Sequence, residues 1–117
     1  MERSIRVVVI EPEKPARITE IGQSLESMQS VVGGYIQVIP AQAIPGGEKL
    51  SHQMILVLNE EGKLDDLPYN FEIWDGADYI AGTCFVCKEK GDEMVGLTEE
   101  EANIVVSLFN RKGHVDG

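Results

Sequence analysis

The sequence predicts an α+β fold: a mainly antiparallel sheet of about five or six strands, with two helices, about 23–32 and 99–110, packed against it. Three observations carry that expectation. Short apolar runs rich in β-branched residues recur at Ile5–Ile10, Tyr35–Ile39, Met54–Leu58 and Tyr79–Cys87. Each is bounded by Gly, Pro, Asn, Asp or charged residues, as strands are. Two other stretches, around Leu25–Val32 and Ala102–Phe109, instead place apolar residues at helical spacing. Hairpin-length turns link several of the strands.

In chain order, Arg3–Ile10 reads as an inner strand, because β-branching continues on both faces. Glu11–Pro12–Glu13–Lys14–Pro15 is a turn, since each proline fixes φ and lacks an N–H. Ala16–Ile21 returns as the second arm of a hairpin. Ser24 caps the first helix, Leu25, Met28 and Val32 form its stripe, and Gly33–Gly34 closes it with left-handed backbone. A glycine pair also suggests phosphate binding, but that geometry needs glycines before a helix rather than after it. Tyr35–Ile39 is a strand. The 40–53 segment is a long loop carrying His52, and such loops are functional or mobile.

Met54–Leu58 is a core strand, and Asn59–Glu60–Glu61–Gly62 suits a type I turn. Lys63–Leu64 reads as a short return strand, and Leu67–Pro68 as extended. Phe71–Trp74 alternates, and Asp75–Gly76 signals a turn. Tyr79–Cys87 reads as one strand, with Gly82 marking a bulge or a close backbone approach. Lys88–Asp92 and Glu93–Leu97 read as a hairpin loop and closing strand. Thr98–Glu99–Glu100–Glu101 is a capping box, and Ala102, Val105, Val106 and Phe109 form the buried stripe of the second helix. Gly113 ends it. The expected organisation is a single domain over 1–113 with a disordered tail at 114–117.

A chain of 117 residues with 43% hydrophobic content can build a core without disulfides or metal. The net charge of −10 opposes binding to nucleic acid or anionic lipid. The acidity is concentrated in the second half, where residues 59–117 carry fourteen acids and five bases. Glu60, Glu61, Asp65, Asp66, Glu72, Asp75 and Asp78 face Lys63 alone over 59–78. A solvated surface is the plain reading; an acidic face that binds a basic partner or imitates DNA is the sharper one. No signal-like or membrane-spanning run is visible, so a cytoplasmic protein is expected.

The chemistry-bearing patterns are mostly negative. Cys84 and Cys87 have the spacing of a redox motif, but on a strand that spacing sends the two side chains to opposite faces. One buried and one half-buried inert cysteine are expected. The acidic stretch fails as a calcium loop, because Lys63, or Leu67 and Tyr69, fall at ligand positions. No nucleophile elbow, P-loop, zinc spacing or dinucleotide fingerprint occurs, so no catalytic residue, metal or cofactor is expected.

Several segments together carry a resemblance. A first strand ends Glu11–Pro12, a helix closes on Val31–Val32–Gly33–Gly34–Tyr35–Ile36, and Asn59–Glu60–Glu61–Gly62–Lys63–Leu64 follows. Then come Leu67–Pro68–Tyr69–Asn70, Ile80–Ala81–Gly82–Thr83, and Leu97–Thr98–Glu99–Glu100 before the last helix. The chain resembles the family catalogued as domain of unknown function 3846, found in small bacterial and phage proteins. That resemblance implies a non-secreted domain often carried by mobile elements, and it supplies no activity.

The leading functional expectation is a non-enzymatic binding module with an acidic face formed by Glu60, Glu61, Asp65, Asp66, Asp75 and Asp78, a DNA-mimicking inhibitor being one version. Its partner would be a basic protein surface. The alternative is a small-ligand protein or small enzyme with a pocket between the 40–53 loop and residues 59–74, where His52, Tyr69, Asn70 and Trp74 would meet.

Overall fold

The computed structural model describes residues 2–113; the expected tail at 114–117 lies outside them. In chain order the elements are β1 (Ser4–Ile10), β2 (Arg17–Gly22), α1 (Leu25–Val32), β3 (Ile36–Pro40), β4 (Met54–Asn59), β5 (Tyr69–Ile73), β6 (Asp78–Ala81), β7 (Cys84–Lys90), β8 (Glu93–Val95) and α2 (Glu99–Gly113). Short 3-10 turns occupy Ala41–Ala43 and Trp74–Gly76. The fold is α+β. Six strands form the main sheet in the order β2-β1-β7-β4-β3, with β8 also on β7, and β5-β6 form a second sheet. All pairings are antiparallel.

Alternation divides the apolar residues of the inner strands between two cores. Val7 and Val9, Ile55 and Val57, and Phe85 and Cys87 face α1, where Met28 and Val32 cover them. Val8 and Ile10, Met54 and Leu56, and Cys84 and Val86 face the other way. There Ala102 and Val105 of α2, Ile73 and Ile80 of the small sheet, and Ala41, Ala43 and Ile44 cover them. The helices therefore sit on opposite faces of the sheet. Both helices pack against the sheet as expected, but not against one face: Val7, Val9, Ile55, Val57 and Phe85 form a single group. Only α1 packs there; α2 takes the residues of opposite parity.

The packing, not helix propensity, holds these layers. α1 has eight residues, and isolated helices are marginal below about 12–15. Its caps are as expected: the Ser24 side chain accepts from the Ser27 N–H, and Gly33 has φ 85°. Leu25, however, is 57% exposed, because the first residue of the helix points away from the sheet.

Tyr79–Cys87 is not one strand. At Gly82, φ is 89° and the chain turns a corner, so β6 joins the small sheet and β7 the centre of the large one. A Cβ at Gly82 would come within 2.7 Å of Leu67 Cδ1. Lys63–Leu64 also forms no strand; it lies in a run of turns, and Leu64 is 84% exposed. The 40–53 loop is structured. Successive turn bonds link Ile44 to Ala41, Gly47 to Ile44 and Leu50 to Gly47, while Ala41, Ala43 and Ile44 are buried.

α2 begins with the predicted capping box. The Thr98 N–H donates to Glu101, and the Glu101 N–H donates to the Thr98 hydroxyl. Lys88 Nζ lies 3.0 Å from Glu101 Oε1. The helix runs to Gly113, past the expected end near 110. Partial burial raises the Glu101 carboxyl pKa, but the bond from the Thr98 N–H and the contacts with Lys88 outweigh it and hold it below 4.5.

Two outcomes follow. Gly82→Ala should destabilise the fold by at least about 1–2 kcal/mol in urea unfolding, the cost of left-handed backbone alone, with the Leu67 clash adding to it. Because the Glu101 pKa is lowered on folding, its contribution is complete above 4.5 and disappears as pH falls through the lower folded value. The stability gap between wild type and Glu101→Gln should therefore be widest near neutral pH and narrow in acid.

Candidate functional site

The candidate site is built by the 59–81 segment, whose small sheet packs on the same face of the main sheet as α2. Asn59 anchors its start and is only 4% exposed. Its Nδ2 donates to Val32 O at the end of α1, and its Oδ1 accepts from the Glu61 N–H. Consecutive turns follow: the Gly62 N–H donates to Asn59 O, Asp65 to Glu61 O, and Leu67 to Gly62 O. This compaction leaves Glu60, Glu61, Asp65 and Asp66 exposed around a buried Gly62.

Asn70 anchors the other side of the lobe. Its Nδ2 donates to both Ile10 O (3.0 Å) and Gly82 O (2.8 Å), joining β5, β1 and the corner. The Gly82 N–H in turn donates to Pro68 O at 2.7 Å. At the tip of the small hairpin, Trp74, Asp75 and Gly76 have φ of 50°, 55° and 89°. Positive φ is what a tight hairpin turn demands, and Asn-Gly normally supplies it. Here a bulky tryptophan adopts it, which is a genuine outlier, and Trp74 remains 48% exposed.

The lobe also gathers exposed tyrosines. Tyr69 and Tyr79 have ring centroids 5.6 Å apart. Lys63 Nζ lies 4.7 Å from the centroid of the Tyr79 ring and is paired with Asp78. The hydrogen bond from Lys63, followed by that from the Tyr79 N–H, holds the Asp78 carboxyl below its usual range. Glu72 and Asp75 are exposed nearby on the hairpin. A cleft of about 400 Å³ lies between the hairpin and the sheet edge, with Gln37, Ile39, Leu58, Leu64, Trp74 and Tyr79 in its lining.

A second cleft, of about 650 Å³, lies at the β1–β2 turn, with Ile10, Pro15, Phe71 and Phe109 as apolar walls and Glu11 and Asn70 on its polar side. Phe71 and Phe109 meet edge to face at 4.9 Å. Asn110 secures α2 there: its Nδ2 donates to Ala16 O, and its Oδ1 accepts from the Ala16 N–H.

The structure does not bring His52, Tyr69, Asn70 and Trp74 together. Asn70 lines the larger cleft and Trp74 the smaller; Tyr69 stands on Tyr79, and His52 is exposed and lines neither. The expected pocket beside the 40–53 loop does not form from these residues, because the loop turns its apolar side chains into the core. Sequence reasoning missed Tyr79 and Lys63. The Asp75–Gly76 turn signal places the hairpin, but it pairs Tyr79 with Glu72; only the register shift between Tyr69 and Phe71 brings Tyr69 onto the face of Tyr79, and no local signal marks that shift.

Cys84 and Cys87 do point to opposite cores, as their spacing requires, but both are fully buried. Burial raises the Cys84 thiol pKa strongly, and burial with the nearby Glu89 pushes that of Cys87 up to about 12. Neither is a nucleophile at neutral pH. Among the described residues, no three His, Cys, Asp or Glu side chains group to hold a metal ion. No helix among them is long and apolar enough to cross a membrane.

Fold and site thus define a small α+β protein with a lobe of acids and aromatics over one face of its sheet. Residues 5–110 match the family described as domain of unknown function (DUF3846), and the chain belongs to that family. The match covers nearly the whole chain, as does the resemblance carried by the segments from Glu11–Pro12 to Leu97–Glu100. No curated protein and no solved structure matches it. The family identifies a domain and assigns no activity.

Asn70→Ala should cost about 1–3 kcal/mol, because two backbone carbonyls lose their donor and each net hydrogen bond contributes about 0.5–1.5 kcal/mol. Urea unfolding measures the loss.

Proposed function

We propose that this protein is a non-enzymatic interaction module, a single domain over 1–113, whose 59–81 lobe receives a basic protein surface. One observation carries the reading. Lys63 places its ammonium between the Asp78 carboxylate and the Tyr79 ring. The lobe therefore already accommodates a lysine by charge and by the ring quadrupole. Beside that occupied position, Glu60, Glu61, Asp65, Asp66 and Asp75 remain exposed, as do Trp74 and Tyr69. Carboxylates interleaved with aromatic faces are what arginine and lysine side chains bind.

The DNA-mimic version of this role is less well supported. Asp78 is committed to Lys63, and rings interrupt the run of carboxylates. A cytoplasmic setting, in a phage or other mobile-element context, suits the two unpaired buried cysteines and the family resemblance. Nucleic acid and anionic membrane are disfavoured partners because of the net charge of −10.

A second reading, a small-ligand protein or small enzyme, draws on the 650 Å³ cleft. That volume is within the roughly 300–1,000 Å³ range of ligand sites. The cleft's apolar walls and the Asn70 side chain would hold a small amphipathic molecule.

Trp74 is the sole tryptophan, so its fluorescence reports on the lobe directly. Titration with an oligoarginine peptide should give a saturable change. The affinity should fall between low salt and ~150 mM, where screening acts within ~8 Å. The response should be lost in Asp65→Asn/Asp66→Asn/Asp75→Asn and retained in Glu99→Gln/Glu100→Gln, whose charges lie on α2. Equal responses from the two variants would reduce the effect to net charge and remove the proposal. Amide shifts confined to Phe71 and Phe109 on addition of host metabolites would favour the second reading.

A further inference from the structure

We propose that the basic partner docks as an extended strand on the free edge of β3, with basic and β-branched residues alternating along it. This inference rests on the lobe reading above and specifies the partner's conformation and pattern.

The strand order of the main sheet ends in β2 and β3, and the three-residue β8 also has a single neighbour. An unpaired edge invites another strand unless charges, prolines or bulges block it. β2 carries such protection in Arg17 and Glu20. β3 reads Ile36–Gln37–Val38–Ile39–Pro40, with no charge and its only proline in the last position. Tyr35 and Val38 leave 68% and 37% of their surface exposed there.

The phase of the open hydrogen-bonding groups follows from the register. The Glu60 N–H donates to Tyr35 O at 2.8 Å, and Gln37 and Ile39 stand opposite Leu58 and Leu56. In an antiparallel pair the inward-bonding residues alternate. Tyr35, Gln37 and Ile39 therefore bond toward β4, while Ile36 and Val38 turn their N–H and C=O outward. An added strand would find two donors and two acceptors.

Side-chain direction then sets the partner's pattern. Ile39 belongs to the core beneath the acidic lobe, and Gln37 and Ile39 line the cleft under Trp74 and Tyr79. Ile36 belongs to the α1 core, and Val38 shares its face. Residues opposite each other on neighbouring strands share a face. Every second residue of an added strand would thus turn toward the cleft lined by Glu60, Trp74, Asp78 and Tyr79, and the others would meet Ile36 and Val38. Basic residues suit the first set and β-branched residues the second. A second copy of this chain is the competing occupant, but two chains of net charge −10 repel each other.

The probe is a capped seven-residue peptide alternating arginine and valine, titrated into the full chain and followed by Trp74 fluorescence and calorimetry. Binding should weaken about tenfold or more when the peptide amides facing β3 are N-methylated, consistent with losing one to two net hydrogen bonds. Grouping the same residues into separate blocks should weaken it similarly. Val38→Pro removes an outward N–H at a position where an edge strand tolerates proline, and should reproduce the loss with the circular dichroism spectrum unchanged. The peptide comparisons need no variant, so they stand even if Val38→Pro fails to fold.

If the alternating, blocked and N-methylated peptides bind within about twofold of one another, a difference under ~0.5 kcal/mol, the docking inference fails. Should those equal affinities still be lost in Asp65→Asn/Asp66→Asn/Asp75→Asn, the lobe reading stands alone. If no peptide binds the wild type, both fail. A dimer in sedimentation that Val38→Pro dissolves would assign the edge to a second copy and overturn the peptide.

Discussion

The corner at Gly82 is the constraint on which the rest of the architecture depends. The apolar run that contains it must serve two sheets. Its first part pairs with β5 at the periphery, and its second enters the centre of the large sheet as β7. Left-handed backbone at φ 89° makes that change of direction in one residue. The corner is then secured on both sides: its N–H donates to Pro68 O, and its C=O accepts from Asn70. A side chain there would sit on strained left-handed backbone and would have to displace Leu67. Without this turn the small hairpin would continue in line with β7, and the acidic lobe would have no platform.

Three asparagines attach peripheral segments to the sheet through their side-chain amides, Asn59 and Asn110 by donating and accepting and Asn70 by donating twice. Asn59 reaches the end of α1, Asn70 reaches β1 and the corner, and Asn110 pairs with both backbone groups of Ala16. An amide donates and accepts at once, so it can replace the missing partner of a strand end or a turn. Partly buried backbone groups that lack a ladder partner are expensive to leave unpaired. These amides supply local rigidity where the apolar cores do not reach. The lobe is therefore both polar and fixed, and its exposed aromatic rings sit on a supported frame.

Local charge balance follows from that rigidity. Lys63 is the sole cation within 59–78 and is spent on Asp78 and the Tyr79 ring. It holds the turn against the hairpin. The remaining carboxylates have no such internal partner within the stretch, and their mutual repulsion favours a cation from outside. The strained backbone at Trp74 and Asp75 has a similar character. Such conformations persist only where surrounding structure enforces them, and they cluster at binding sites.

Features that depend on neighbouring residues could be read directly along the chain. The Ser24 and Thr98 caps, the Gly33 stop, the Glu11–Pro15 and Asp75–Gly76 turns and the opposed cysteines were all legible, because each follows from bonds or steric limits within a few positions. The family was legible too, in motifs spread over the chain. Alternation also showed that β1, β4 and β7 had two apolar faces, but not which helix would cover which. Long-range packing set α2 and α1 on opposite parities, buried Cys87 fully, and left His52 outside the clefts that Asn70 and Trp74 line. It alone set Glu60 and Asp78 in one cleft with Gln37 and Ile39 of β3. Those outcomes depend on contacts between residues tens of positions apart. They are set by which apolar surfaces and unpaired carbonyls meet once the chain turns at Gly82, and no local propensity encodes that choice.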